Sequence, residues 1–310
     1  MMQLIECVPN FSEGRDPIIV NEIAGEFRNL PDVLLIGQEM DYDHNRSVIT
    51  CIGSPHSVVS AVYNACRKAK ELIDLRNHHG VHPRIGATDV IPLVPLRNIS
   101  MSDCVDLSYK LGHKIAKDME IPVYLYGSAS KRFHNKSLAD IRRGEFEYLQ
   151  QLILNKSDKK PDFGPSTIHP SAGAIAIGVR DILVAFNVNL RSKDIDMARM
   201  IAREIRESNG GLPGVKALGL KLSQKKCVQI SMNITDYKQT SIPEVYRFIK
   251  RKANSNRVEI LECELIGLAP IQAFNQSNLA DIQLKNMTPS RYLDYHIKRA
   301  EGILHHIDNI

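Results

Sequence analysis

The chain has 310 residues, with 40 lysines and arginines against 35 aspartates and glutamates, so its formal net charge is +5. With 43% apolar and 24% charged residues, the composition is typical of a globular protein with a large core, in two domains or one duplicated domain. The charge is too dilute for a nucleic-acid-binding surface, and no apolar run reaches the roughly 18 residues that cross a bilayer. We expect no nucleic-acid partner and no membrane partner. The first residues lack the positively charged segment that begins a signal peptide and reach an acid at Glu6, which predicts a cytoplasmic protein.

The first half of the chain has the pattern of a β-α-β-β-α-β module. Asp16 and Pro17 are a favourable N-cap and first-turn pair, and they predict the start of a first helix that ends near Leu30. Ser54 and Pro55 start a second helix in the same way. Strands are predicted at residues 4–8, 33–36, 47–52 and 90–94, and helices at 17–30 and 55–74.

The second half repeats this order of elements. Strands are predicted at residues 182–188, 215–221, 227–233 and 258–266, and helices at 192–208 and 241–252. Between the halves, helices at 103–118 and 145–154 flank a strand at 123–126, and a polar helix follows residue 278. The repetition predicts an α/β (α+β) fold built from two ferredoxin-like subdomains, residues 1–178 and 179–310.

Six cysteines are irregularly spaced and never form a Cys-x-x-Cys pair, so we expect reduced, mostly buried thiols. The Gly210–Gly214 segment is rich in glycine but precedes a strand and lacks a Walker lysine, which argues against nucleotide binding. The chain also has no Gly-x-Ser-x-Gly nucleophile motif.

Three histidines, His78, His79 and His82, lie in one loop between a helix and a strand. A metal site is one interpretation, but no second group of ligands has suitable spacing. One histidine acting as acid and base is favoured, because an imidazole titrates near neutral pH. Pro83 forces His82 into an extended backbone, which makes it the most rigidly held candidate. The alternative is that all three are solvated loop residues.

Two other loops carry groups that can bind a carboxylate. Asn10 and Ser12 follow the first strand and offer amide and hydroxyl groups, although a plain turn and helix cap explains them equally well. Asn45 and Arg46 form a similar loop before a strand.

Arg46 and Arg84 are the candidates for fork-like carboxylate clamps. Asp43 and Asp89 could orient a neighbouring imidazole or bind a substrate amine. Residues 162–173 have glycine and proline spacing that suits backbone recognition of a flat ligand. The alternative is that this segment is a simple connector.

Several of these segments together resemble one family. They are Glu6-Cys-Val-Pro-Asn-Phe-Ser-Glu-Gly14, Asn45-Arg46, Gly80-x-His-Pro-Arg-x-Gly-Ala-x-Asp89, Pro122-Val-Tyr-Leu-Tyr-Gly127, Pro161-Asp-Phe-Gly-Pro-Ser166 and Ala185-Phe-Asn-x-Asn189-Leu. In this order, and over residues 3 to 270, they resemble glutamate formiminotransferases, which occur alone or as the N-terminal part of formiminotransferase–cyclodeaminase. The resemblance implies two α/β subdomains, tetrahydrofolate bound in a cleft between them, a homodimer, no metal and no cyclodeaminase in this chain.

The resemblance also assigns roles to residues of this sequence. It places the catalytic histidine at His82, an acidic residue at Glu39, Asp41 or Asp43, and further substrate-binding candidates at Asn187 and Asn189. The folate-contacting segment that it implies consists of Gly164, Pro165, Ser166, Thr167, Ile168, His169, Pro170, Ser171, Ala172 and Gly173.

The implied activity is transfer of a formimino group between N-formimino-L-glutamate and tetrahydrofolate, in histidine degradation. One imidazole can take a proton from the attacking nitrogen and return it to the leaving nitrogen. Two alternatives stay open. One is an enzyme of the same fold that acts on 5-formyltetrahydrofolate or formylglutamate, and the other is a non-catalytic folate-binding protein.

Overall fold

A computed structural model describes residues 2–132, 137–156, 159–274, 279–284 and 287–307 of the chain. The chain forms two compact units. The first unit comprises Met1–Arg180 with Arg299–Ile310, and the second unit comprises Asp181–Lys298. Both units combine helices with one β-sheet, which confirms the predicted α/β (α+β) fold class.

The sheet of the first unit is antiparallel on one side and parallel on the other. Its strands are β1 (Leu4–Cys7), β2 (Asn10–Phe11), β3 (Val33–Asp41), β4 (Arg46–Gly53), β5 (Thr88–Arg97), β6 (Val123–Gly127) and β7 (Ile175–Val179). The short strands β1 and β2 lie in line between β4 and β5, and β3 pairs with β4 on its outer side. Strands β7 and β6 extend the sheet beyond β5 as parallel neighbours.

Helices lie on both faces of this sheet. They are α1 (Pro17–Arg28), α2 (Pro55–Leu72), α3 (Met101–Met119), α4 (Leu138–Ile141) and α5 (Glu145–Asn155). The first three bury their apolar sides in the main core, whereas α4 and α5 pack on the opposite face beside Tyr124 and Tyr126. Helix α1 has the N-cap that the sequence predicts, since the Asp16 side chain accepts from the backbone N–H groups of Ile18 and Ile19.

The second unit contains a four-stranded antiparallel sheet with its helical core on one face. Its elements are β8 (Val184–Leu190), α6 (Ile195–Ile205), β9 (Val215–Leu222), β10 (Cys227–Ile234), α7 (Ile242–Ser255) and β11 (Ile260–Ile266). A last helix, α8 (Leu293–Ile307), begins later than predicted, after short 3₁₀ turns, and its residues from Arg299 onward belong to the first unit. The sheet order β11-β8-β10-β9 corresponds to β5-β1-β4-β3 of the first unit, so the two modules share one topology.

The two modules differ at the connection that precedes their last strand. In the first unit, residues 73–87 connect α2 to β5 and include the three histidines. In the second unit, the corresponding connection from α7 to β11 is only residues 256–259. The histidine loop is therefore an extension present in one copy of the module.

All six cysteines are reduced and buried, which confirms that prediction. Among the described residues, no helix combines the length and apolar composition needed to cross a membrane.

Strand β7 lies between β5 and β6 in the parallel part of the sheet. Shortening one of its buried side chains should therefore destabilise the first unit. Ile177 is fully buried in the main core, so Ile177→Ala should lower the free energy of unfolding by about 2–5 kcal/mol. Urea denaturation followed by circular dichroism measures this loss. The matched control Ile18→Ala removes a side chain that is 68% exposed and should change stability by less than about 0.5 kcal/mol. Equal effects of the two substitutions would contradict the assignment of β7 to the core.

Candidate active site

The histidine loop packs against the turn between β3 and β4. The backbone N–H of Val81 donates to the carbonyl of Asp43 at 3.1 Å, and the Asn45 side-chain amide donates to the carbonyl of His79 at 3.1 Å. Gly80 makes this approach possible, because a Cβ there would lie closer than 3 Å to the carbonyl of His44. The loop is therefore fixed on the rigid sheet edge.

Arg84 fastens the other end of the loop. Its Nη1 and Nη2 donate to the Glu147 carboxylate at 2.8 and 2.6 Å, and Nη1 also donates to Glu145 at 3.2 Å. Its Nε donates to His78 Nδ1 at 3.0 Å, while His78 Nε2 donates to the carbonyl of Asn45 at 2.7 Å. The fork of Arg84 is thus occupied by the chain's own carboxylates, and its place in this structure is that of a loop anchor.

His82 is half-buried beside several positive groups. Its Nδ1 lies 2.9 Å from Arg46 Nη1 and 2.8 Å from the carbonyl oxygen of Pro83. The ring of His44 lies 5.6 Å away, centroid to centroid. Burial, followed by the charges of Arg46 and Arg142, holds the pKa of His82 well below its usual value, against a smaller opposing effect of the Pro83 carbonyl. His82 is therefore a neutral imidazole at neutral pH.

The two contacts of His82 Nδ1 require different tautomers. When Nδ1 carries a proton it donates to Pro83, and Nε2 then has a lone pair; when Nδ1 accepts from Arg46, the proton is on Nε2. Nε2 has no hydrogen-bond partner among the described residues. The first tautomer therefore presents Nε2 as a base.

Asp89 is the centre of a buried charge cluster, which consists of Asp89, Arg46 and Arg142. Its Oδ2 accepts from Arg46 Nη1 at 3.0 Å and from Arg142 Nη2, and its Oδ1 accepts from the backbone N–H of Ile85 at 2.8 Å. Burial by itself raises the pKa of Asp89, but the two guanidinium groups and the Ile85 N–H outweigh it and leave the pKa below the usual value. The carboxylate is therefore ionised and matched by two cations.

Each of the three nitrogens of Arg46 has an acceptor within the protein. Nε and Nη2 both donate to Asn10 Oδ1, at 2.8 and 2.6 Å, and Nη1 contacts Asp89 and His82. Burial and the nearby Arg142 lower the pKa of Arg46 to about 10, so the group is still a cation at neutral pH. Arg46 and Asn10, both sequence candidates, meet here as one unit that positions His82.

The segment 164–173 runs along the two ends of the histidine loop. Leu75 and Ala87 donate their backbone N–H groups to the carbonyls of Ser171 and Ala172, at 2.9 Å each, and Ala174 donates to Ile85 at 2.9 Å. Within the segment, His169 and Gly173 exchange backbone hydrogen bonds. It is therefore an integral part of the first unit, hydrogen-bonded to both ends of the histidine loop, and the side chains of Ser166, Thr167 and Pro170 are exposed.

The remaining candidates of the first unit have structural or peripheral places. Ser12 Oγ donates to the carbonyl of Gly86 at 2.7 Å, and Asn45 Oδ1 accepts from Gly14. The register of β3 with β4 places Glu39 and Asp41 on the same face as Arg46. Asp41 lies 3.7 Å from His44 Nδ1, so it reaches His82 only through that ring, whereas Asp43 contacts the loop through its backbone.

Asn187 and Asn189 belong to β8 of the second unit. Asn189 donates to Glu262 at 3.1 Å and accepts from Gln229 at 2.9 Å, within a polar row across the sheet. Asn187 occupies the same face, opposite Ser231 and Glu264.

Sequence reasoning missed Arg142. It follows the short helix α4 and precedes Arg143 and Gly144, where an arginine is usually a solvated surface group, so no local pattern distinguishes it. Among the residues that the structure describes, no group of three or more His, Cys, Asp or Glu side chains is arranged to hold a metal ion.

Comparisons with known proteins match almost the whole chain to two family models. Residues 4–180 match the N-terminal subdomain of the formiminotransferase domain, and residues 185–290 match the formiminotransferase domain.

Curated relatives match over similar lengths. A glutamate formimidoyltransferase from Thermoplasma acidophilum is 42% identical over 97% of this chain and 100% of its own length. One from Streptococcus pyogenes is 39% identical over 88% of this chain and 91% of its own. A formimidoyltransferase-cyclodeaminase from Rattus norvegicus is 38% identical over 88% of this chain, which covers 51% of that protein.

The lowered pKa of His82 predicts a pH dependence of stability. In the unfolded chain the imidazole takes up a proton as the pH falls through its usual value of 6.5, while the folded protein resists protonation. The contribution of His82 to stability is therefore complete above pH 6.5 and is lost progressively below it.

Urea midpoints measured between pH 5 and 8 test this. His82→Gln should reduce the fall in the urea midpoint below about pH 6.5. Part of the fall should remain, because burial also lowers the pKa of His78. Identical slopes for the variant and the wild type would contradict the electrostatic assignment.

Proposed function

This chain belongs to the formiminotransferase family, and from that membership we propose that it is a glutamate formimidoyltransferase in which His82 is the general acid and base. The reaction moves a formimino group between N-formimino-L-glutamate and tetrahydrofolate, in histidine degradation. The observation that carries the role of His82 is its Nε2, which has no hydrogen-bond partner among the described residues although Nδ1 is held by Pro83 or Arg46.

The proton balance of the transfer needs one base that becomes an acid. The folate N5 attacks the formimino carbon, a C–N5 bond forms, and the N5 proton passes to His82 Nε2. The tetrahedral intermediate then breaks its bond to the glutamate nitrogen, which receives the same proton from His82. No proton is gained or lost overall, and the reverse reaction uses the same steps in the opposite order.

The positive surroundings of His82 suit the second half of this sequence. An imidazolium beside Arg46 and Arg142 is destabilised, so it releases its proton readily to the leaving nitrogen. Burial, followed by the same charges, lowers the pKa of His82 and keeps the resting ring neutral, which is the form that accepts the first proton. Positioned proton transfer of this kind contributes about 10²–10⁴-fold to the rate, and the remainder must come from orienting both substrates.

The adjacency of the 164–173 segment to the histidine loop supports folate binding beside His82. Its exposed side chains and its backbone offer a surface for the flat pterin within the first unit. Asn10 supports the proposal indirectly, because it fixes the Arg46 guanidinium that contacts the imidazole.

We expect His82→Ala to lower the rate of transfer by about two orders of magnitude or more while leaving tetrahydrofolate binding intact, because the proton carrier is lost but the folate surface is not. The measurement is a spectrophotometric assay of formiminoglutamate plus tetrahydrofolate, with folate binding followed by calorimetry. His79→Ala is the matched control, since His79 is an exposed residue of the same loop and should retain activity.

Full activity in His82→Ala would remove this residue from the mechanism. A wild-type protein that binds folate without turnover of any formimino or formyl substrate would instead be the non-catalytic folate-binding protein. Turnover of 5-formyltetrahydrofolate or formylglutamate in place of the formimino substrate would select the other enzyme.

A further inference from the structure

Three arginines lie near His82, and they differ in how many of their donors the protein already uses. Arg84 is occupied by Glu145, Glu147 and His78, and Arg46 is occupied by Asn10, Asp89 and His82. All five N–H groups of Arg84 are engaged, and each of the three nitrogens of Arg46 has an acceptor. The two clamps that the sequence suggested are therefore satisfied within the protein.

Arg142 is different. Its Nη2 donates to Asp89 Oδ2, and its Nε is buried without an acceptor among the described residues. The side chain is 13% exposed, so most of it is removed from water. A buried N–H of a charged group that lacks an acceptor is costly to maintain, and a ligand that supplies the acceptor relieves that cost.

The charge of the cluster indicates the sign of that ligand. Arg46 and Arg142 share the single carboxylate of Asp89, and His82 beside them is neutral, so the cluster has an uncompensated positive charge. A buried excess charge is stabilised by a counter-ion of opposite sign. A planar guanidinium with unused N–H groups is matched best by a carboxylate.

We propose that Arg142 binds a carboxylate of the amino-acid substrate, glutamate or its N-formimino derivative, and so sets the specificity of this site for an acidic amino acid. The proposal rests on the proposed function, which supplies the identity of the amino acid. Arg46 links Arg142, through Asp89, to the imidazole that exchanges a proton with the amino nitrogen. Substrate carboxylate and substrate nitrogen are thereby held by one connected group of side chains.

The decisive experiment compares Arg142→Gln and Arg142→Lys with the wild type. We expect Arg142→Gln to raise the KM for N-formimino-L-glutamate, and the calorimetric Kd of L-glutamate measured with tetrahydrofolate present, by at least about tenfold, the scale of one charged hydrogen bond. Arg142→Lys keeps the charge without the fork and should fall between. The Kd of tetrahydrofolate itself should stay within about twofold, because its binding surface is elsewhere.

Arg143→Gln is the matched control. Arg143 is the next residue, but its side chain is 72% exposed and pairs with Asp140, so this variant should bind both substrates like the wild type. Thermal melts of all variants establish that each is folded. Unchanged glutamate binding in folded Arg142→Gln would overturn the proposal.

A further comparison identifies the source of the carboxylate, since tetrahydrofolate also carries a glutamyl tail. If Arg142→Gln weakens tetrahydrofolate but not tetrahydropteroate, and leaves glutamate binding unchanged, the tail is the ligand and the proposal is wrong. Glutamine and isoglutamine each replace one of the two carboxylates of glutamate by an amide. One of these two compounds should bind the wild type more weakly than glutamate does. The Arg142→Gln variant should bind that compound and glutamate equally.

These binding measurements need no turnover, so they separate the two claims. A wild type that lacks transferase activity while Arg142→Gln still loses glutamate binding would refute the proposed function and leave the carboxylate site standing. An active wild type whose Arg142→Gln variant binds glutamate normally would refute the carboxylate site and leave the proposed function standing.

Discussion

Asp89 carries a negative charge in a place that water does not reach, and the architecture of the first unit follows from how that charge is matched. Its two oxygens connect β4 through Arg46, the end of α4 through Arg142, and the end of the histidine loop through the N–H of Ile85. Removing one partner from such a buried cluster leaves an uncompensated charge, which is far costlier than removing a surface ion pair. The contacts of Asp89 therefore fix the positions of the histidine loop, β4 and α4 relative to one another.

The same cluster determines what His82 can do. Burial, and then the neighbouring cations, lower the pKa of this histidine, which makes it a weaker base and, once protonated, a stronger acid than a free imidazole. Asn10 takes part through Arg46, whose orientation it fixes with two hydrogen bonds. A modest net charge over the whole chain is compatible with this, because the positive field that matters is local and buried.

Much of the fold could be predicted from sequence because its elements are strongly periodic and its first two helices begin at the predicted prolines, although Ser54 makes no side-chain cap at α2. The helix after Asp16 and the strands before and after Arg46 have the expected places. Strand β7 was missed, because Ile175–Val179 follows a stretch rich in glycine and proline and is short and uniformly apolar. A buried parallel strand lacks the alternation that identifies an amphipathic one.

The site was predictable in its residue types but not in their pairing. Sequence reasoning could single out Arg46, Arg84 and Asp89 as charged residues in loops, but which guanidinium meets which carboxylate depends on tertiary contacts across more than 40 positions, as between Asp89 and Arg46 or Arg84 and Glu147. Arg142, at the end of a short helix and next to the exposed Arg143, gave no signal at all. Only the fold shows that its donors are incompletely used.

The unequal connections before β5 and β11 bear on the history of the protein. Two modules with the same strand order are what a tandem gene duplication leaves behind, yet the short connection at residues 256–259 has no room for a counterpart of the histidine loop. The repeat is therefore one of architecture, and the histidine loop belongs to the first module alone.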